Sequence, residues 1–135
     1  MKIYFGGAIR GGREDVHIYE LIIKELGNFG EVLTEHIGDK NLSIIGEDKL
    51  PQYIYERDTN FIKEADIFIA DVTTPSLGVG YEIAYAEKLN KKVFCLYNNT
   101  GNKLVSFMIM GNQNCKVFPY KNKEEISEII KSIFK

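Results

Sequence analysis

Cysteine is scarce in this chain, with 2 residues among 135, and neither lies in a spacing that binds metal. Cys95 is inside the apolar segment KKVFCLY and Cys115 is inside NCKVFPY, without a CxxC or Cys/His pattern. This spacing excludes a thiolate metal site and a framework of disulfides. It predicts two buried free thiols and, with them, a reducing compartment.

Long hydrophobic runs are missing as well. No segment has the ~18 consecutive apolar residues that a membrane-spanning helix needs. The apolar run in the N-terminal segment MKIYFGGAIRGG is too short for a secretory signal. We therefore expect a cytoplasmic protein without a membrane partner.

The chain also lacks an excess of positive charge. The 17 Lys and Arg residues nearly balance the 19 Asp and Glu residues, which leaves a formal net charge of −2. A basic surface is what binds the phosphate backbone of a polymer. We therefore do not expect a nucleic acid polymer as a partner, whereas a single nucleotide stays open.

The composition that is present is that of one folded domain. A chain of 135 residues is long enough to bury roughly two thirds of the surface that its unfolded form exposes. Hydrophobic residues make up 44% and charged residues 27%, which argues against disorder. We expect a single enzyme-sized domain over residues 1–135.

Two hydrophobic periodicities alternate along the chain. Short apolar runs predict strands over 3–5, 31–35, 66–72, 92–97 and 116–119. Helical patterns predict helices over 13–26, 50–64, 79–89, 104–110 and 123–134. This βαβ order predicts a three-layer α/β domain, flavodoxin-like or Rossmann-like, with a mostly parallel sheet of about five strands.

In such a sheet, ligands bind beyond the carboxyl ends of the strands. The distinctive segments follow those ends: a glycine-rich loop after the first strand, Glu35 and His36 at the end of the second, residues 73–80 after the third and 98–101 after the fourth. The polar segment 37–49 is the expected mobile loop, and we expect it to act as a lid.

The segment PSLGVGYE has the composition of a phosphate-binding turn. Ser76, Gly78 and Gly80 stand where a strand passes into a helix, and backbone N–H groups at a helix N-terminus favour anions. The first loop, FGGAIRGGRED, adds four glycines, and Arg10 or Arg13 would add a charge-assisted contact. Tight turns also use glycine for conformation alone, so this loop is a weak signal by itself.

Two carboxylates are candidates for the chemistry. Glu82 is expected in the first turn of the helix after the glycine turn, and Asp58 lies on the helix before the third strand. Paired carboxylates at a glycosidic carbon supply an acid and a nucleophile. The alternatives are that Glu82 only stabilises its helix dipole and that Asp58 is a solvated residue paired with Arg57 or Lys63.

Three further features allow both a structural and a functional interpretation. Tyr4 either fills the core or donates its phenol hydrogen bond to a carboxylate. His36 is more often structural than catalytic, although it is expected on the ligand side of the sheet. The segment KLVSFMIMG is apolar nearly all round, which predicts either a subunit contact that carries Ser106 or a core helix of the same chain.

The sequence resembles the nucleoside 2-deoxyribosyltransferase superfamily over nearly its whole length, and most closely the hydrolytic branch, the 2′-deoxynucleoside 5′-monophosphate N-glycosidases. The resemblance is carried by IYFGGAIRGGRED, FGEVLTEHIG, ERDTNFIKEADIFIADVTTPSLGVGYE, KKVFCLY and KLVSFMIMG, in that order. It implies a flavodoxin-like homodimer, without metal or organic cofactor, that cleaves the bond between base and sugar. The implied products are free base and 2-deoxyribose 5-phosphate.

The resemblance also implies a role for each matching residue. Glu82 is implied as the anionic nucleophile that captures C1′, Asp58 as the protonated acid for the leaving base, and Tyr4 as the phenol that positions Glu82 and crowds the 2′ position. The implied substrate contacts are Gly6, Ala8, Ile9, Arg10, Gly11, Gly12, His36, Ser76, Gly78, Ser106 and Met108. Of these, the loop 8–12, Ser76, Gly78 and a Ser106 from the partner subunit would hold the phosphate, and Ile9, His36 and Met108 would contact the base or the pocket wall.

Ala8 departs from the pattern of that branch, in which this position is commonly serine. A lost hydrogen bond to a charged group is worth ~1.5–3 kcal/mol, so phosphate affinity would fall unless Arg10 or an amide replaces the contact. Two alternative functions stay open: a nucleoside 2-deoxyribosyltransferase that passes the sugar to another base, and a nucleotide-binding or flavin-binding module without turnover.

Overall fold

The computed structural model describes residues 1–9 and 12–135, in which strands and helices alternate. The strands are β1 (Lys2–Gly6), β2 (Glu31–Val32), β3 (Ile67–Asp71), β4 (Lys92–Asn98) and β5 (Cys115–Tyr120). The helices are α1 (Val16–Leu26), α2 (Pro51–Glu64), α3 (Leu77–Lys88), α4 (Phe107–Met110) and α5 (Lys123–Ile133), and a 3₁₀ helix follows β2 at Glu35–Gly38. Within these residues, no helix combines the length and the apolar character needed to cross a membrane.

All five strands pair in parallel, in the order β2-β1-β3-β4-β5. The order reverses between β1 and β3, as in flavodoxin-like sheets. The predicted three-layer α/β fold is therefore confirmed. The sheet that the structure describes is entirely parallel, where the sequence predicts a mostly parallel one.

Apolar stripes on the helices hold the three layers together. The residues of β3 are all buried, as expected for a central strand covered on both faces. On one face Ile22 of α1 and Ile130 of α5 pack against the sheet, and on the other face Ile62 of α2 and Ile83 of α3 do so. Burial of these side chains is the main stabilising term of the fold.

Thr34 continues the pairing of β2 with β1 through its side chain. β2 itself has only 2 residues. The Thr34 hydroxyl donates to the Phe5 carbonyl at 2.7 Å and accepts from the Phe5 N–H at 2.9 Å. The chain then enters the 3₁₀ helix, so the predicted strand over 31–35 is wrong at its end, and Glu35 and His36 lie beyond the sheet.

The fourth helix also differs from its prediction. The sequence predicts a helix over 104–110, whereas α4 has only 4 residues. Ser106 is the N-cap of α4 and not its middle, because its hydroxyl accepts a hydrogen bond from the N–H of Met108. The other helices begin and end close to their predicted bounds.

We predict that Thr34→Val destabilises the fold. Valine keeps the shape of threonine but leaves the buried N–H and carbonyl of Phe5 without the hydroxyl. The free energy of unfolding should fall by about 1–3 kcal/mol, measured by urea denaturation.

Thr34→Ser is the matched control, because it keeps the hydroxyl and removes only a methyl group. It should stay closer to the wild type than Thr34→Val does. Equal stability of Thr34→Val and the wild type would show that the hydroxyl is not needed.

Candidate active site

A cavity of about 490 Å³ lies beside the carboxyl ends of β1 and β3, where the strand order reverses. This volume is within the usual range for small-molecule sites. The walls come from the loop after β1, the loop before α2, α2 itself and the N-terminal half of α3. Asp58 and Glu82 both line it, so the structure brings the two predicted carboxylates to one space.

Tyr4 binds Glu82 directly. It lies in the middle of β1, is 2% exposed, and its hydroxyl donates a hydrogen bond to Oε2 of Glu82. Its ring stacks on Phe68, with ring centroids 5.0 Å apart, which fixes the direction of the phenol. Gly6 is next to the same carboxylate, because a Cβ built on it would stand 3.5 Å from Oε1 of Glu82.

Glu82 lies in the second turn of α3, so its predicted place in the first turn is wrong; the helix begins at Leu77. Burial raises the pKa of Glu82 to about 8, the negative charge of Asp58 adds to the rise, and the Tyr4 hydrogen bond and the Arg57 charge oppose it. At neutral pH this environment favours the neutral acid, whereas the sequence analysis expects an anion.

Asp58 projects from α2 with a side chain that is 17% exposed. Burial raises the pKa of Asp58, and the hydrogen bond and charge of Arg57 oppose the rise. The ordinary alternative for this residue was a solvated pairing with Arg57. The structure shows that pairing, at 2.8 Å, but on a carboxylate that lines the cavity.

Arg57 connects α2 to the loop that forms one wall of the cavity. Its two terminal nitrogens lie 2.6 and 2.7 Å from the carboxylate oxygens of Glu47. One of them is also 3.2 Å from Nε2 of His36, whose pKa is lowered mainly by burial. Sequence reasoning did not identify Glu47, because its only local signal is an acid in the polar segment 37–49, and its partner lies on another element.

Ser76 caps α3 by accepting a hydrogen bond from the N–H of Val79 at 3.2 Å. Among the described residues, a Cβ on Gly78 would meet only the Ser76 hydroxyl, at 3.9 Å, and a Cβ on Gly80 would meet nothing within 4 Å. Packing inside the chain therefore does not require glycine at these positions. Glycine instead leaves the backbone at this helix N-terminus accessible to an anion.

The guanidinium of Arg13 is occupied by backbone carbonyls. It donates to the carbonyl oxygens of Ala8, Ile37, Asp39 and Leu42, at 2.8 to 3.1 Å. Arg13 thus ties the loop after β1 to the segment that follows the 3₁₀ helix. The suggested contact of Arg13 with a phosphate is not the role that this geometry favours.

The rest of the glycine-rich loop is only partly described. Ala8 is fully buried, and its N–H donates to the Tyr19 hydroxyl at 3.1 Å. Ile9 lines the cavity, and Gly12 has a φ of 138°, a conformation that favours glycine. Arg10 and Gly11 lie outside the described residues, so their predicted contacts stay predictions.

Ser106 and Met108 lie outside the cavity that holds Glu82. They line a second cavity, of about 870 Å³, and Ser76 and Gly78 line both. The Met108 side chain is 85% exposed. The alternative that this segment is a core helix of the same chain is therefore wrong for Met108. Across residues 1–9 and 12–135, no group of three or more His, Cys, Asp or Glu residues is arranged to hold a metal ion.

Comparisons with known proteins agree on one family. Residues 3–122 match the family model described as nucleoside 2-deoxyribosyltransferase. A protein of Esox lucius named 5-hydroxymethyl-dUMP N-hydrolase is 42% identical over 140 residues, covering 100% of this chain and 97% of that protein. The Homo sapiens protein of the same name is 42% identical over 125 residues, covering 91% of this chain and 72% of that protein.

A solved structure of similar fold is the CMP N-glycosidase BcmB of Clostridium botulinum. It matches with a TM-score of 0.69 and 23% sequence identity, covering 98% of this chain and 99% of that chain. At this identity the match shows the shared fold.

We predict that Glu82→Gln stabilises the protein at alkaline pH. Because the pKa of Glu82 is about 8 in the folded protein against an ordinary value of 4.5, the folded state holds this proton more tightly than the unfolded state. The free energy of unfolding therefore falls as pH rises between these two values. Calorimetry should give a melting temperature on the order of 10 °C above the wild type at pH 9 and close to it at pH 5.

The control is Glu128→Gln, which removes an exposed carboxylate on α5. Its difference from the wild type should be small and similar at both pH values. If Glu82→Gln also gave the same difference at pH 5 and pH 9, Glu82 would not carry the raised pKa.

Proposed function

This chain belongs to the nucleoside 2-deoxyribosyltransferase family, and we propose that it is a hydrolase that cleaves the N-glycosidic bond of 2′-deoxynucleoside 5′-monophosphates. The products would be free base and 2-deoxyribose 5-phosphate. The observation that carries the proposal is the carboxylate of Glu82, held by the Tyr4 hydroxyl in a cavity that Asp58 also lines. The names of the relatives, which denote N-hydrolases of a deoxynucleotide, support the same reaction.

The substrate would lie with its phosphate at the start of α3. Ser76 and the first-turn amides near Gly78 offer a hydroxyl and a helix N-terminus, both of which favour an anion. The loop 8–12 lies at the neighbouring strand end and would add further contacts, including those of Arg10 and Gly11. The base would then extend toward Ile9 and the loop before α2, which supply apolar wall.

The reaction would run in two steps through a covalent intermediate. An oxygen of Glu82 bonds to C1′ while the bond from C1′ to the base nitrogen breaks, and Asp58 gives its proton to the departing base. Water, activated by the Asp58 carboxylate, then attacks C1′ and releases Glu82 from the ester. Oxocarbenium character at C1′ favours the anionic form of Glu82 during both steps.

This scheme needs one proton on the pair, located on Asp58 and not on Glu82, where burial favours it in the free site. The negative charge of Asp58 raises the pKa of Glu82, so the pair holds one proton readily and two negative charges poorly. The productive arrangement places the proton on Asp58 and the charge on Glu82. The Tyr4 hydrogen bond favours that charge, since a donor to a carboxylate lowers its pKa.

The function is tested by incubating the purified protein with a panel of purine and pyrimidine nucleoside monophosphates, in deoxy and ribo forms, and with 5-hydroxymethyl-dUMP. Chromatography should show free base released from deoxynucleoside monophosphates. Glu82→Ala should lower the release by at least about 10³-fold, and Asp58→Asn by about 10²-fold, as is usual for a lost nucleophile and a lost general acid.

Full activity of Glu82→Ala would contradict its role as nucleophile. An acceptor base added to the same reaction separates hydrolysis from transfer: a transferase would build the new nucleoside faster than it releases free sugar phosphate. Preference for unphosphorylated deoxynucleosides would likewise favour the transferase.

The same proposal includes a homodimer in which Ser106 reaches the neighbouring site. Leu77, Leu104, Phe107 and Met108 are each more than four-fifths exposed, which is an unusual cluster of large apolar side chains on a small domain. Leu77, Leu104 and Met108 line the second cavity, which shares Ser76 and Gly78 with the first. A second copy of the chain on this face would cover them and bring Ser106 to the phosphate seat.

We predict that Ser106→Ala and Glu82→Gln, each impaired alone, give a more active protein when their chains are combined in one dimer. If Ser106 acts across the dimer, a heterodimer of Ser106→Ala and Glu82→Gln contains one site with both residues intact. Refolding or co-expressing the two chains in equal amounts should give about a quarter of the wild-type activity in a statistical mixture of two-fold dimers.

Light scattering on the wild type should give the mass of two chains. If Ser106 belongs to the site of its own chain, the mixture stays at the level of the separate variants. That result would contradict the exchange of Ser106 between subunits.

Localisation is the remaining part of the proposal. Cys95 and Cys115 are free and buried, with sulfur atoms 3.1 Å apart, which favours a reducing compartment. We propose that the enzyme acts in the cytoplasm, where nucleoside monophosphates are found as small molecules. Nucleic acid polymers would not be its partners.

A further inference from the structure

Building on the proposed function, we infer that Arg57 is a positioning residue that sets the protonation of Asp58, and that Glu47 limits this effect by sharing the guanidinium. Arg57 would thus act on the reaction through Asp58, and the loop before α2 would take part through Glu47. Nothing in the proposed two-step reaction requires this arrangement, which follows from the contacts around α2.

One guanidinium serves two carboxylates. Arg57 binds Glu47 through two short contacts, of 2.6 and 2.7 Å, in the fork geometry that is strongest for arginine and carboxylate. Its Nε and Nη2 also lie 2.9 and 2.8 Å from Oδ1 of Asp58. All three side chains are 17% exposed, so solvent screens these contacts less than it screens a surface pair.

The position of the guanidinium is fixed by its surroundings. Its central carbon lies 5.8 Å from the ring centre of Tyr53 and 6.0 Å from that of Phe61, one on each side along α2. Arg57 does not line the cavity, whereas Asp58 and Glu47 do. An effect of Arg57 on the reaction therefore has to pass through one of these two acids.

His36 completes the contacts of the guanidinium. Its Nε2 is 3.2 Å from Nη2 of Arg57 and 3.6 Å from Oε2 of Glu47. Burial lowers the pKa of His36, so at neutral pH the neutral ring is favoured and Nε2 accepts from Arg57. His36 is therefore more a part of this network than an independent charged group.

The charged and titratable groups that face Asp58 come from every element around it. They are Arg57 on α2, His36 on the 3₁₀ helix, Glu47 on the loop before α2, Glu82 on α3 and Tyr4 on β1. Arg57 is the permanent cation among them. Its positive charge acts on Asp58 and also on the acids Glu47 and Glu82.

This balance makes opposite predictions for the two partners. Removing the charge of Glu47 lets the whole guanidinium act on Asp58, which holds the pKa of Asp58 lower. Removing the charge of Arg57 leaves Asp58 beside two acids, which raises its pKa. A contact that only held the loop in place would not produce shifts of opposite sign.

We predict such opposite shifts for Glu47→Gln and Arg57→Gln. The alkaline limb of the kcat/KM profile follows Glu82, whose pKa is about 8, so a change at Asp58 should appear on the acidic limb. The pH of that acidic limb should move down by about one unit in Glu47→Gln and up by about one unit in Arg57→Gln, the size expected for one nearby charge. Arg57→Lys keeps the charge without the fork, so it should keep the wild-type pH profile while kcat falls.

The matched control is Glu64→Gln, because Glu64 lies on α2 like Arg57 and its exposed carboxylate pairs only with Lys2 of β1 among the ion pairs described. It should leave the pH profile unchanged. Shifts of the same sign in Glu47→Gln and Arg57→Gln, or no shift in either, would overturn the inference.

A titration of the carboxyl carbons of Asp58 and Glu82 by nuclear magnetic resonance tests the network without substrate. The pKa of Asp58 should be lower in Glu47→Gln and higher in Arg57→Gln than in the wild type. If Arg57→Gln does not fold, Arg57→Lys replaces it, and there the pKa of Asp58 should be unchanged. If no nucleotide is cleaved by the wild type but Asp58 titrates as expected, the proposed function fails and the charge coupling stands. If nucleotides are cleaved but Asp58 does not respond, the inference fails alone.

Discussion

The hydrogen bond between the Tyr4 hydroxyl and the Glu82 carboxylate is the interaction on which the rest of the site depends. It joins the middle of β1 to α3 across the point where the sheet order reverses, so the carboxylate is held by the core itself. The stack of Tyr4 on Phe68 leaves the phenol little freedom. A carboxylate held in this way is removed from water, and this is why its pKa lies far above the ordinary value. The fold thus accepts a destabilising group at the place where a nucleophile would be needed, a common compromise at functional sites.

Much of the fold was predictable because it depends on local periodicity. The apolar runs identified every strand, and the stripes on α1, α2, α3 and α5 identified the helices that cover the sheet. The convergence of Tyr4, Asp58 and Glu82 was also foreseen, through the rule for strand ends and the resemblance to a known family. What local pattern did not show is where a chain leaves regular structure. β2 stops at Val32 because the Thr34 side chain replaces the next backbone pairing, and α4 starts late because Ser106 caps it.

Pairings between distant segments were equally invisible in the sequence. Arg13 was considered for a phosphate, but the structure uses it to bind four carbonyls, including that of Leu42, which is 29 residues away. Arg57 was considered only as a partner of Asp58, whereas its two-point contact is with Glu47. In both cases the arginine makes the charge-assisted contacts that its type suggests. The path of the segment 37–49 determines which groups it contacts. Loop paths follow from the whole packed structure and not from a short window of sequence.

The position of Glu82 in the second turn of α3 suits the proposed substrate better than the first turn would. Six residues separate the Ser76 cap from Glu82, which corresponds to about 9 Å along a helix axis at about 1.5 Å per residue. Side chains on a helix lean toward its N-terminus, so the carboxylate lies somewhat nearer to the cap than its Cα does. In the proposed substrate, a phosphate at the cap and the C1′ carbon at the Glu82 carboxylate are separated by the 5′ carbon and the sugar ring, which fit this distance. A carboxylate in the first turn would instead stand against the phosphate, where two negative charges would repel. Under the proposed function, one short helix can hold both the phosphate and the nucleophile only because Glu82 comes a full turn after the cap that would bind the phosphate.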